Sequence, residues 1–99
     1  MSGEVTVRVP TILRTYTGGE AEVTVDASAT EGGETLAGVL QALEASYPGI
    51  QARILDDSGA LRRFVNVYVG DEDVRFAEGL ATPTPGGTQI SVIPAVAGG

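Results

Sequence analysis

The residues whose types and order best suit chemistry are the last six, Pro94-Ala95-Val96-Ala97-Gly98-Gly99. Two glycines in succession lack a Cβ, so that stretch of backbone can pass a channel too narrow for any side chain. Pro94 fixes φ and has no N–H, which ends a sheet ladder and frees the residues after it. Ala95, Val96 and Ala97 are small and uncharged. On this reading the reacting group is the carboxylate of Gly99, with Gly98, Ala97 and Val96 as the stretch threaded into another protein's cleft. Such a carboxylate, with a pKa of about 3.5, is ionised at neutral pH and is a poor electrophile. Its activation must come from an enzyme holding ATP and Mg²⁺. Chain ends are often frayed and glycine is abundant here, at 14 of 99 residues, so the pair taken alone is equally compatible with an incidental end.

The rest of the inventory offers little to a catalyst. Cysteine and histidine are absent, which removes thiolate nucleophiles, Cys-ligated zinc, the usual neutral-pH base and the commonest metal ligand. No catalytic residue and no metal ligand is assigned, and the chain reads as a substrate rather than an enzyme. A net charge of −7 argues against nucleic acid and anionic membranes as partners. It fits either a partner with a basic docking face or simple solubility. All six basic residues are arginine, so no side-chain amine is available to attack an activated C-terminus; a compositional bias toward Ala, Gly and Val is the simpler source of that absence. Asp71-Glu72-Asp73 lacks the alternating spacing of a Ca²⁺ loop and reads as a solvated turn. Gly86-Gly87 has no following Lys-Ser/Thr, which disfavours a phosphate loop. No apolar run approaches the roughly 20 residues that span a bilayer, and Met1 to Glu4 shows no signal-like features. The expected location is the cytoplasm.

The elements that must position the tail follow from periodicity. Ninety-nine residues make one domain, divided here into a body, 1–93, and a tail, 94–99. Val5, Val7 and Val9 alternate with Thr6 and Arg8, predicting a half-buried strand from Glu4 to Pro10. Thr17-Gly18-Gly19 supplies a turn, and Val23 and Val25 then alternate with Glu22, Thr24 and Asp26 in the second strand of a long-looped hairpin. Ser28 to Gly33 is a loop. Thr35 is placed to N-cap a helix whose Leu36, Val39, Leu40, Leu43 and Tyr47 form one apolar stripe, stopped by Pro48-Gly49. Gly38 inside that helix suggests either close approach to a sheet or nothing more than drift. One helical turn is expected around Ala52 to Leu55. A strong strand covers Phe64 to Val69, a short one Val74 to Phe76 after the acidic turn, and a last one Gln89 to Ile93.

One helix on one face of a sheet is an α+β architecture. The opposite face would carry Thr6, Arg8, Asn66, Tyr68, Gln89, Ser91 and Ile93, a mixed surface suited to protein contact. Arg8, Asn66, Tyr68 and Ile93 are the candidate partner-docking residues.

Several blocks carry a more specific resemblance. They are Pro10-Thr11-Ile12-Leu13-Arg14 with Thr17-Gly18-Gly19; Leu43-Glu44 with Tyr47; Arg63-Phe64-Val65-Asn66-Val67-Tyr68-Val69 through Asp71-Glu72-Asp73-Val74-Arg75-Phe76 to Gly79-Leu80-Ala81-Thr82; and Ile93 to Gly99. With this element order they resemble the ubiquitin-like β-grasp sulfur carriers of the MoaD/ThiS family, most closely its CysO-like, cysteine-forming branch. Glu20 to Gly33 is longer and more polar than the family pattern. The resemblance implies a β-grasp fold, a mixed sheet of four to five strands with one main helix packed on one face. It further implies that a MoeZ/MoeB-like E1 enzyme adenylates Gly99 with ATP and that a sulfur donor converts the adenylate to a thiocarboxylate. The sulfur then passes to a PLP-dependent cysteine synthase or another biosynthetic synthase, and a metalloprotease processes the tail. ATP and Mg²⁺ belong to the activating enzyme, and no cofactor is expected on the chain itself. A MoaD-like small subunit of molybdopterin synthase, a ThiS-like thiazole sulfur donor and a non-covalent β-grasp binding module are the alternatives.

Overall fold

The computed structural model describes residues 4–63 and 65–94. Strands β1 (Glu4–Arg8), β2 (Glu22–Asp26), β3 (Val65–Val69), β4 (Glu72–Asp73) and β5 (Gln89–Pro94) form one mixed sheet in the order β2-β1-β5-β3-β4. Central β5 runs parallel to β1 and antiparallel to β3. Valine and isoleucine suit a pleated, half-buried surface, and the register aligns them: Val7 opposite Val23 and Ile90, and Val67 opposite Val92. That face is covered by α1 (Leu36–Ser46), whose Leu36, Val39, Leu40 and Leu43 are fully buried. Each such leucine contributes about 1.5–3 kcal/mol by leaving water. The α+β, β-grasp expectation therefore holds, with five strands.

Local chemistry sets the helix limits. Thr35 caps α1, its Oγ1 accepting from Gly38 N at 3.3 Å. Beyond Ser46, the Glu44 carboxylate accepts from Gly49 N at 2.9 Å and Gln51 N at 3.0 Å, which turns the chain into the single-turn α2 (Gln51–Ile54). Gly49 takes φ +98, and a Cβ there would meet the Tyr16 ring at 3.1 Å, so this stop requires glycine.

Four details differ from expectation. β1 ends at Arg8, although Val9 remains buried and its N–H bonds to Ala21 O. Thr11–Tyr16, to which periodicity assigns no element, is a 3-10 helix that buries Leu13. The short strand is Glu72–Asp73, not Val74 to Phe76; the Asp73 carboxylate accepts from Arg75 N at 2.8 Å and curls Val74–Phe76 into a 3-10 turn that buries Val74. Gly38 approaches the preceding loop rather than the sheet, since a Cβ there would lie 1.8 Å from Gly33 O. Phe64 lies outside the described residues. Among those described, no helix is long and apolar enough to cross a membrane, and no three His, Cys, Asp or Glu side chains converge as a cation site.

Candidate functional site

The end of β5 is where the sheet hands the chain to its last five residues. Arg8, the last residue of β1, is level with Ser91, whereas β3 follows β5 further, pairing Asn66 with Ile93 and Val65 with Pro94. Ile93 and Pro94 thus project past β1 on one side while staying hydrogen-bonded on the other. β5 extends one residue beyond the expected strand because a proline can close a strand end where no N–H is needed.

Two hollows flank this exit. On the open side of the sheet a groove of about 660 Å³ is lined by Arg8, Arg14, Glu22, Ser91 and Ile93 among others. Beside it a smaller, mostly apolar hollow of about 190 Å³ lies between Ile12, Leu13, Arg53, Val65 and Val92. Ile12 is 71% exposed and Ile93 45%, so both hollows have an accessible apolar lip.

The four docking residues read from the sequence do share one face. Tyr68 and Arg8 both align with Ser91, and Asn66 aligns with Ile93. Their chemistry is less free than their types suggest. Arg8 Nε faces Glu22 Oε2 at 3.6 Å in an exposed pair, worth at most about 1 kcal/mol. The Asn66 carbonyl accepts from Arg75 Nη1 at 2.5 Å, while Arg75 Nη2 donates to Arg62 O at 2.7 Å. Asn66 therefore positions an arginine beside Ile93 instead of offering its own acceptor. Gly99, Gly98, Ala97 and Val96 lie outside the described residues.

Residues that sequence reasoning missed gather at the same end. Arg14 Nε donates to Val9 O at 3.0 Å, and Arg53 Nε donates to Tyr16 OH at 2.7 Å with its guanidinium 5.8 Å from the Tyr16 ring centre. The Pro10 to Arg14 block held a signal, a basic residue one helical turn after a proline, but only the 3-10 helix brings it back to the exit.

Two carboxyls sit below their ordinary range, and both do so for reasons of local turn geometry. Asp26 is lowered by hydrogen bonds from the side chain and then the backbone of Ser28. Asp56 is lowered first by the Ser58 side chain, then by backbone N–H groups of Ala60 and Ser58, with a small contribution from Arg62. Asp26 pairs with Glu4 at the opposite end of the sheet. What this site can do is present a strand end with apolar and cationic groups around it.

Known proteins share this sequence pattern and fold. The ThiS family model matches residues 7–99. The sulfur carrier protein CysO of Mycobacterium tuberculosis is 52% identical over 97 residues, 96% of this chain and 98% of its own. Its crystal structure superposes with a TM-score of 0.83 at 50% identity, covering 93% of this chain and 99% of that one. A chain of the Amycolatopsis orientalis BexX/CysO complex gives a TM-score of 0.84 at 45% identity, covering 96% and 99%. Matched from its first strand to its last glycine, the chain belongs to the ThiS family and is a homologue of the CysO sulfur carriers, a carrier protein rather than a catalyst.

Proposed function

We propose that this carrier works through the carboxylate of Gly99, which a partner enzyme of the E1 type activates in the cytoplasm. A carboxylate oxygen attacks the α-phosphate of ATP, pyrophosphate leaves, and a Gly99 acyl-adenylate forms. A sulfide-level nucleophile, HS⁻, then attacks the carbonyl carbon, the C–S bond forms as the C–O bond to AMP breaks, and departure of AMP and a proton leaves a terminal thiocarboxylate. That group is a far better nucleophile than the carboxylate at neutral pH and can pass its sulfur to an acceptor enzyme. A PLP-dependent cysteine synthase or a synthase of secondary metabolism is the acceptor class favoured by the similarity to CysO.

The observation that carries the reading is the extent of the family match, which continues past the sheet to residue 99. The fold supports it, because β5 ends at Pro94, at the end of the sheet and immediately before the last five residues. A complex between CysO and BexX has been solved for a relative, which supports docking of this β-grasp body on a partner protein. The chain contributes reach and recognition, and the activating enzyme contributes ATP and Mg²⁺.

The test is Gly99→Trp in a reaction with the host's activating enzyme, ATP and a sulfur donor. The variant should fold like the wild type and yield no thiocarboxylate. Normal yield would overturn the proposal.

A further inference from the structure

The net charge of −7, read over the whole chain, points to a basic docking face on the partner. The distribution of charge points elsewhere. β1 ends at Arg8, and β3 begins just after Arg62 and Arg63, both at the end of the sheet from which the tail departs. Arg14 bonds to Val9 O, Arg53 lines the hollow beside Val65 and Val92, and Arg75 reaches Asn66 Oδ1 and Arg62 O. All six arginines of the chain are therefore collected around the tail exit. Arg14, Arg53, Arg62 and Arg75 donate to neutral oxygens, which leaves their charge available to the surroundings. The acids placed at this end are Glu20 and Glu22 beside Arg8, Glu44, Asp56 and Asp57 around the hollow next to α2, and Asp73 beside Arg75, which balance the arginines in number.

The opposite end is acidic. Glu4 and Asp26 pair there, and Asp71 and Glu72 occupy the turn after Val69, next to the start of β5. The arginines are gathered at the exit instead. The molecule is strongly acidic, yet the end that presents its tail is balanced in charge and holds every arginine.

Resting on the reading of Gly99 above, we propose that this arginine collar docks on a carboxylate-bearing protein rim around the cleft that receives the tail. Length selects the rim over the nucleotide inside. Ala95 to Gly99 are five residues, spanning about 17 Å when extended, so a Gly99 poised at a nucleotide leaves the collar well outside contact with its phosphates. A basic rim would attract the acidic pole and repel the collar, turning the tail away. An acidic rim attracts the collar and repels the far pole, so both ends orient the carrier tail-first during encounter.

The experiment uses the host's activating enzyme and follows ATP–pyrophosphate exchange against carrier concentration at several NaCl concentrations. Arg8→Gln with Arg63→Gln should raise KM about three- to tenfold at low salt with little change in kcat, and should flatten the salt dependence. Arg8→Lys with Arg63→Lys keeps the charge and should stay within about twofold of wild type. Asp71→Asn with Glu72→Gln, which changes net charge by as much at the far pole, should also stay within about twofold. Thermal melts confirm that each variant is folded.

A lower KM for the Gln pair, or far-pole variants that alter KM as strongly as the collar variants, would overturn the acidic rim while leaving Gly99 activation intact. A low-salt dimer in light scattering that the Gln pair abolishes would assign the collar to the acidic pole of a second copy and would equally overturn the proposal. Absence of exchange with the wild-type chain would refute the Gly99 reading and the collar with it.

Discussion

Gly38→Ala should destabilise the domain even though alanine is the better helix former. Position 38 lies in the first turn of α1, where helix propensity alone would favour alanine by about 1 kcal/mol. A Cβ at this position would sit 1.8 Å from Gly33 O and 2.8 Å from Thr30 Oγ1. The obstacle is mostly backbone. Gly33 O accepts from Thr35 N at 2.8 Å, Gly33 N donates to Thr30 O at 3.1 Å, and Gly38 N donates to the capping Thr35 hydroxyl. Relieving the overlap must move the loop or tilt the helix start, straining that set of bonds. Overpacking against a well-fitted site costs about 1–3 kcal/mol, occasionally more, and damage to the cap adds about 1 kcal/mol. Against the propensity gain, the net loss is about 1–3 kcal/mol, and at about 4–8 °C per kcal/mol for a domain of this size Tm should fall by roughly 4–24 °C. The assay is thermal and urea denaturation followed by far-UV circular dichroism. Gly59→Ala is the comparison: its φ is +88 with nothing within 4 Å of a built Cβ, so only backbone strain of about 1 kcal/mol is expected. A Gly38→Ala protein as stable as wild type, or more so, would refute the packing argument.

Other outcomes follow from single side chains. Thr84 is fully buried and its Oγ1 has no hydrogen-bond partner; Thr84→Val keeps the shape, removes the orphaned hydroxyl, and should raise stability by about 1 kcal/mol in urea melts. Glu44→Ala removes both acceptors for Gly49 N and Gln51 N and should cost about 1–3 kcal/mol by the same measurement. Ile93→Ala, at a position 45% exposed, should change stability by less than about 1 kcal/mol yet raise the KM for activation, and an unchanged KM would remove Ile93 from the docking face. The lowered carboxyls give a signed pH effect. A depressed folded-state pKa contributes stability that is present above the ordinary value of 3.8 and lost as pH falls through the folded value. Asp56→Asn should therefore flatten the decline in stability below about pH 4 that an acid titration of the wild type shows.

Much of this fold was legible because its periodicities are clean. Val5, Val7, Val23, Val25, Ile90 and Val92 alternate with polar neighbours, and the Leu36 to Leu43 stripe has a capping threonine in front of it. The segments that escaped are those in which a side chain overrides a strand-like pattern. Val74-Arg75-Phe76 reads as extended until the Asp73 carboxylate captures Arg75 N, leaving Phe76 85% exposed. Thr11 to Tyr16 has no strong helical signal and is held by tertiary burial of Leu13. At the site, alternation placed Arg8, Asn66, Tyr68 and Ile93 on one face, since a strand's faces follow from its period of two. The gathering of Arg14, Arg53 and Arg75 was not legible, because it depends on which strand ends share one edge of the sheet. The crossover that places β5 between β1 and β3 creates that neighbourhood, and no local pattern encodes it.

Intact-mass spectrometry of the protein recovered from its host, under conditions that spare thioacids, tests the central claim most directly. A species about 16 Da heavier, with sulfur in place of one oxygen, is expected, localised by fragmentation to Gly99 and lost in cells lacking the activating enzyme. A mass that stays at the unmodified value while the sulfur pathway is active, or sulfur localised anywhere but the last residue, would contradict it.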